Sequence, residues 1–181
     1  MIHHISIAAE NPLRVAQVLA EIFQGQVAPF PPHPGSYMVL ALDEQGTMIE
    51  VYPDQTELLP GSGQDGLEFS QNLFAPSYSA THAAISVPTE QAEIEQIAER
   101  EGWRAVRCSR EDLFEVIEFW VENRLLLEFL TPSMAPRYIA FMNPVSFQQN
   151  LQELLANLAL EESAPWLRCN FPRREAAIAA S

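Results

Sequence analysis

The chain has no lysine: each of its 10 basic residues is an arginine. That excludes a Schiff-base lysine and a phosphate-loop lysine as sources of chemistry. Positive charge is scarce altogether, since 24 acidic residues leave a formal net charge of −14. Phosphate backbones and anionic membrane surfaces call for a basic face, so neither nucleic acid nor a membrane is an expected partner. Cysteine is limited to Cys108 and Cys169, with no CxxC spacing. This fits a reducing, cytoplasmic compartment better than a disulfide scaffold. No uncharged apolar run is long enough to span a bilayer, and no basic segment leads into an apolar one as a secretory signal requires. Glycine is sparse, yet Gly61, Gly63 and Gly66 crowd into one literal G-x-G-x-x-G match. That stretch neither ends a hydrophobic strand nor opens a helix, and no basic residue is near it, so it reads as a flexible turn.

What is present is a core-forming composition. Hydrophobic residues make up 48% and charged residues 19%, which indicates a globular chain rather than a disordered one. At 181 residues it is one domain, or two small modules sharing one core.

The second of these is favoured by an internal repeat. Thr81-His82-Ala83-Ala84-Ile85-Ser86-Val87-Pro88-Thr89 reads as a strand running into a helix, with Thr89 as the cap. His4-Ile5-Ser6-Ile7-Ala8-Ala9-Glu10-Asn11 reads the same way, with Asn11 as the cap and Pro12 at the first helical position. The copies also end alike, in Ile49-Glu50-Val51 and Leu127-Glu128-Phe129. The spacing from His4 to Glu50 equals that from His82 to Glu128. Each of two equal modules thus has a histidine at its head and a glutamate at its tail.

Apolar periodicity fills in the elements. A strand over 2–8 precedes a helix over Pro12 to Phe23, with Gly25 suited to its C-terminal cap. Strands follow near 26–30, 36–42 and 47–52, the last two joined by a turn at Asp43-Glu44-Gln45-Gly46. The second module repeats this order: strand 81–87, helix 90–101, strand 103–108, and a hairpin turning about Asn123. Residues 54–80 read as a linker rich in Gly, Ser, Pro and Gln, long enough for part of it to cover a site. Residues 133–181 form an extension in which a helix carries Phe147, Leu151, Leu154, Leu155 and Leu158 on one face. The expected fold is therefore α+β: two tandem βαβββ modules (1–53 and 81–132) in a 1–132 domain, forming an open mixed β-barrel, plus a C-terminal helix.

In such a barrel His4, Glu50, His82 and Glu128 would face inward from four central strands. Parity supports this, because Met48, Glu50 and Tyr52 share one side of their strand, as do Leu126, Glu128 and Leu130. Two imidazoles and two carboxylates suit a divalent ion such as Ni²⁺, Zn²⁺, Co²⁺, Mn²⁺ or Fe²⁺, with positions left open for water or substrate. The plainer alternatives are a histidine satisfied by a backbone carbonyl and a glutamate on a strand face that meets water. His3 and His33 read as surface and loop histidines. Glu118, on the strand beside Glu128, is a further candidate for the inner face, with the outer face the favoured reading. Cys108 reads as a small core residue.

These four motifs, in this order and spacing, resemble the vicinal oxygen chelate superfamily. Glyoxalase I, methylmalonyl-CoA epimerase, extradiol dioxygenases and the fosfomycin and bleomycin resistance proteins are members. The resemblance covers roughly Ile2 to Pro132. It implies His4, Glu50, His82 and Glu128 as metal ligands, with Glu128 or Glu50 shuttling a proton, in the glyoxalase I-like arrangement. The activity it implies is a lyase or isomerase acting through an enediolate-like intermediate on a small molecule with neighbouring oxygens. The alternative is a small-molecule-sequestering protein of the bleomycin-resistance type. Arg14, Arg104 and Arg107 are the candidates for the arginines that a glutathione or coenzyme A thioester would need. The long linker leads us to expect all four ligands from one chain, with a homodimer formed, if at all, through outer surfaces.

Overall fold

The computed structural model describes residues 2–76, 78–110 and 113–143. The architecture is α+β with mixed sheets, none of them closed. One compact unit covers Met1–Ile139; of a second, Ala140–Ser181, only residues up to 143 are described. The helix expected over Phe147 to Leu158 lies outside the described residues.

The first half runs β1 (His4–Ala9), α1 (Pro12–Phe23), β2 (Gln26–Pro29), β3 (Tyr37–Leu40) and β4 (Met48–Pro53). Its strands lie in the order β1-β4-β3-β2, with β1 parallel to β4. Ile5, Ile7, Ile49 and Val51 turn toward α1, which answers with Val15, Ala16, Leu19, Ile22 and Phe23. Asn11 caps α1 as its position suggests, its Oδ1 accepting from the Arg14 amide at 3.1 Å. The C-terminal cap is Gln24 in the left-handed region rather than Gly25. Gly25 is needed for a different reason: a Cβ there would lie 2.0 Å from the Leu40 carbonyl oxygen. Backbone passing that close to β3 admits no side chain.

The second half runs β7 (Ala83–Ser86), α2 (Gln91–Glu101), β8 (Arg104–Arg110), β9 (Phe114–Val121) and β10 (Leu125–Leu130), in the order β7-β10-β9-β8. Here β7 is parallel to β10, and Glu128 pairs with Ala84 as Glu50 pairs with Ser6. A short helix α3 (Ala135–Phe141), not foreseen from the sequence, follows β10, and Tyr138 packs edge-on against Phe114.

Two expectations need correction. The 54–80 linker contains a hairpin, β5 (Thr56–Leu59) with β6 (Glu68–Gln71). Its weak alternation and its many turn residues hid it. The glycine-rich stretch is the loop of this hairpin, drawn in so tightly that a Cβ on Gly61 would meet the Gly66 carbonyl oxygen at 1.9 Å. Thr89, expected to cap α2, does not: Glu90 holds that position without a side-chain cap bond. Thr89 is buried, and its hydroxyl donates to the Ile22 carbonyl at 2.7 Å. It thereby satisfies one of the carbonyls that the end of α1 leaves open.

That bond is one of several between the halves. Arg14 and Arg100 on the two helices hold Glu101 and Glu21. Phe23 meets Phe129 edge-on with ring centroids 6.3 Å apart. Glu122, in the β9–β10 turn, accepts from the amides of Glu10 and Asn11 at 2.7 and 2.8 Å, and so adds a carboxylate at the start of α1. One hydrophobic core runs through both halves.

Candidate functional site

Glu50 sits in the middle of β4 and is almost fully buried, 9% exposed. A carboxylate there needs hydrogen bonds. It receives two on Oε2, from the Ser6 hydroxyl at 2.7 Å and the Tyr52 phenol at 2.9 Å. Both donors follow from strand geometry. Ser6 is the register partner of Glu50 on β1, and Tyr52 is two residues on, on the same face. Burial, and then the neighbouring Glu50, push the Tyr52 phenol up to about 12. It therefore remains a neutral donor at any physiological pH. Tyr52 is walled by Phe30, His33 and Phe69, with ring centroids 5.7, 5.4 and 5.6 Å away. His33, expected as a plain loop residue, is thus part of this wall and also bonds the Ser36 hydroxyl through Nδ1 at 2.7 Å. Phe69 comes from the β5–β6 hairpin, so the linker does cover part of this face.

Ser6 and Tyr52 also line a cavity of about 300 Å³. Asp54, Thr56 and Ala75 from the linker side, and Arg124 and Leu125 from the β9–β10 hairpin, complete its walls. Arg124 is tied to Asp54 at 3.1 and 3.2 Å and to Glu10 at 3.1 Å. The lining thus mixes apolar side chains such as Ile7, Leu58 and Val121 with the Asp54–Arg124 pair.

The second half arranges its glutamate differently. Glu128 faces Glu118 directly across the β9–β10 ladder. Both carboxylates take the same guanidinium nitrogen, Nη2 of Arg110, at 2.9 Å in the case of Glu118. Burial pushes Glu118 up, but Arg110 outweighs it and leaves the carboxyl below its ordinary value. The two glutamates hold Arg110 in its charged form. Cys108, on the same stretch of β8, is half-buried, and its thiol is pushed up by burial and by Glu118. No activated nucleophile arises there.

His4 and His82 are both exposed. His4 lies on β1 two residues before Ser6, on the face that carries Glu50. His82 directly precedes β7, two residues before Ala84, the register partner of Glu128, and its Nδ1 lies 3.2 Å from the Ala80 carbonyl oxygen. With that nitrogen engaged, Nε2 is the ring nitrogen that could bind a metal ion. His3 is exposed, as expected, with Nδ1 on the Gln45 carbonyl at 2.7 Å.

The structure thus places one histidine and one glutamate on one face in each half, but it does not gather all four in one chain. Among the described residues, no three of His, Cys, Asp and Glu lie close enough together to hold a metal ion. This corrects the expectation of a site completed within the chain. The reason is visible in how the halves meet. Among the described residues they are joined through α1, α2, Thr89 and the β9–β10 turn. The donor chemistry still suits a divalent ion, with two accessible imidazoles and two carboxylates.

Sequence reasoning missed Ser6, Arg110 and Arg124. Parity on β1 would have found Ser6. Arg124 has partners 70 and 114 residues away, and Arg110 reaches its two across neighbouring strands, so neither pairing shows as a local pattern. Arg14 and Arg107, candidates for a thioester substrate, are paired with Glu101 and Glu115. The Arg104 amide donates to the Asn123 side chain at 2.8 Å.

No described helix is long and apolar enough to cross a membrane. No protein-family model and no curated protein matches the chain. Solved structures do. The fosfomycin resistance protein FosX from Listeria monocytogenes, in its monoclinic form at pH 6.5, is 14% identical, with 76% of this chain and 94% of that chain covered and a TM-score of 0.49. FosX from Mesorhizobium loti is 13% identical over 76% and 96% of the chains, with a TM-score of 0.46. A possible glyoxalase from Bacillus cereus is 11% identical over 71% and 96%, with a TM-score of 0.43. At such identities and TM-scores the likeness says nothing of a reaction or ligand in this chain.

Proposed function

We propose that the protein is a metal-dependent, glyoxalase-like lyase or isomerase acting on a small molecule with neighbouring oxygens. Its site is formed when a second copy brings its His82 and Glu128 face over the His4 and Glu50 face of the first. Two βαβββ modules then share one open barrel, one from each chain. The observation that carries this reading is the setting of Glu50. It is a buried carboxylate held on one oxygen by two hydroxyls, Ser6 and Tyr52, that themselves floor a cavity of about 300 Å³. A divalent ion held by His4, Glu50, His82 and Glu128 would polarise the substrate oxygens and so acidify the adjoining C–H bond. Of the two glutamates, Glu50 would take and return that proton. Ser6 and Tyr52 fix the carboxylate's orientation, so its motion does not compete with proton transfer. The aromatic wall of Phe30, His33 and Phe69 keeps water from the far side of Tyr52. Exposed Leu67, Leu73, Phe74 and Tyr78 on the linker give a second copy apolar surface to cover.

The test is metal binding by mixed variants. His4→Ala and His82→Ala, each prepared alone, should bind Mn²⁺ or Ni²⁺ poorly. Mixed and refolded together, they should regain one intact site per pair of chains, built from His4 of one and His82 of the other. Wild-type protein that takes up none of Ni²⁺, Zn²⁺, Co²⁺ or Mn²⁺ would overturn the proposal. A second reading, non-catalytic sequestration of a small molecule without metal, is favoured by one observation: Arg110 already supplies a cation at Glu128.

A further inference from the structure

We infer that Arg110 is the resident counter-cation of the Glu118–Glu128 pair and competes with a divalent ion for Glu128; this rests on the metal-dependent reading above. Glu118 and Glu128 are directly opposite on neighbouring antiparallel strands, an arrangement that is destabilising for two like charges. A single nitrogen of Arg110 sits between them and bonds both. That nitrogen supplies at Glu128 the positive charge that a divalent ion would otherwise supply. The reach is long. Arg110 ends β8 opposite Phe114, while the β8 residue opposite Glu118 is Val106. The side chain therefore runs back along the sheet face past Cys108 to arrive at the carboxylates. Its own side chain is 37% exposed, whereas those of Glu118 and Glu128 are 20% and 13% exposed. A partly solvated arm resting on two more buried carboxylates can leave toward water at small cost once another cation neutralises them.

The first half sharpens the contrast. There the residue opposite Glu50 is Met38, so no second carboxylate is present, and the partners are two neutral hydroxyls. The equivalent glutamates are thus prepared in opposite ways. Glu50 waits with donors that can stay in place when a metal arrives. Glu128 is occupied by a charge that must leave. A divalent ion held by Glu128 would repel the guanidinium beside it, so metal binding would be coupled to release of Arg110 from Glu128.

The experiment is Mn²⁺ titration of the full chain by calorimetry, with thermal melting run with and without Mn²⁺. The proteins are wild type, Arg110→Met, Arg110→Gln and Arg110→Lys. A charge-assisted hydrogen bond released on binding corresponds to about tenfold or more in affinity. Arg110→Met and Arg110→Gln should therefore bind Mn²⁺ about tenfold tighter than wild type, and Arg110→Lys close to wild type. Without metal, the two uncharged variants should melt lower than wild type, and Mn²⁺ should raise their melting temperature more than it raises the wild type's. Wild-type binding with no tightening in either uncharged variant would overturn the inference and leave the metal reading standing. Absence of Mn²⁺ binding and of any Mn²⁺ effect on melting in all four proteins would overturn the metal reading itself.

Discussion

Removing the Tyr52 hydroxyl tests whether Glu50 is held as described. Tyr52→Phe deletes the donor of the 2.9 Å bond to Glu50 Oε2 and leaves the ring among Phe30, His33 and Phe69. Packing loss is therefore small, and the effect reports the hydrogen bond. Glu50 is 9% exposed and Tyr52 4%, so water does not replace the lost donor freely. A hydrogen bond to a charged acceptor contributes about 1.5–3 kcal/mol, and one between neutral groups about 0.5–1.5 kcal/mol. Tyr52→Phe should accordingly cost about 2 kcal/mol in urea denaturation at pH 7. In a Glu50→Gln background the same change should cost only about 1 kcal/mol, because a neutral amide oxygen now accepts. The double-mutant cycle should thus show about 1 kcal/mol of coupling. Additive costs, or a Tyr52→Phe protein as stable as wild type, would show that the phenol does not hold the carboxylate.

Two further outcomes follow from the contacts between the halves. Thr89→Ser keeps the hydroxyl that bonds the Ile22 carbonyl and should cost little, whereas Thr89→Asp sets a buried negative charge against a carbonyl and should cost about 3 kcal/mol or more by urea denaturation. If Thr89→Asp instead matched or exceeded wild-type stability, Thr89 would be acting as the helix cap its sequence position suggests. Glu101 is raised by burial but lowered further by Arg100 and Arg14, and its net value lies below the ordinary 4.5. Its folded pKa is thus below its unfolded one, so the stability it adds is present above about pH 4.5 and is lost as pH falls through the lowered folded value. Glu101→Gln should therefore be less stable than wild type at pH 7, with the gap closing as pH falls below about 4.5 and through the lowered folded value; a gap independent of pH would refute the pairing.

Much of the fold was legible because strand and helix periods are local. The alternation around Glu50 and Glu128 placed each on one side of its strand, and the Asn11-Pro12 pair marked the start of α1. The equal spacing of His4 to Glu50 and His82 to Glu128 corresponds to the same strand order in both sheets. The β5–β6 hairpin was not legible, since its strands are four residues each and buried mainly through Phe69 against residues of another element. Thr89 was misread because a threonine before a helix serves equally as a cap or as a donor to another helix, and only packing chooses. The candidate site divides along the same line. The sequence alone determined which residue types share a face, because parity along a strand is a property of consecutive residues. Only the tertiary structure decided that Glu50 meets two hydroxyls, that Glu128 meets Arg110, and that the two faces do not close on each other within one chain. Those outcomes depend on side-chain reach across strands and on how two halves dock, and neither quantity is periodic in the chain.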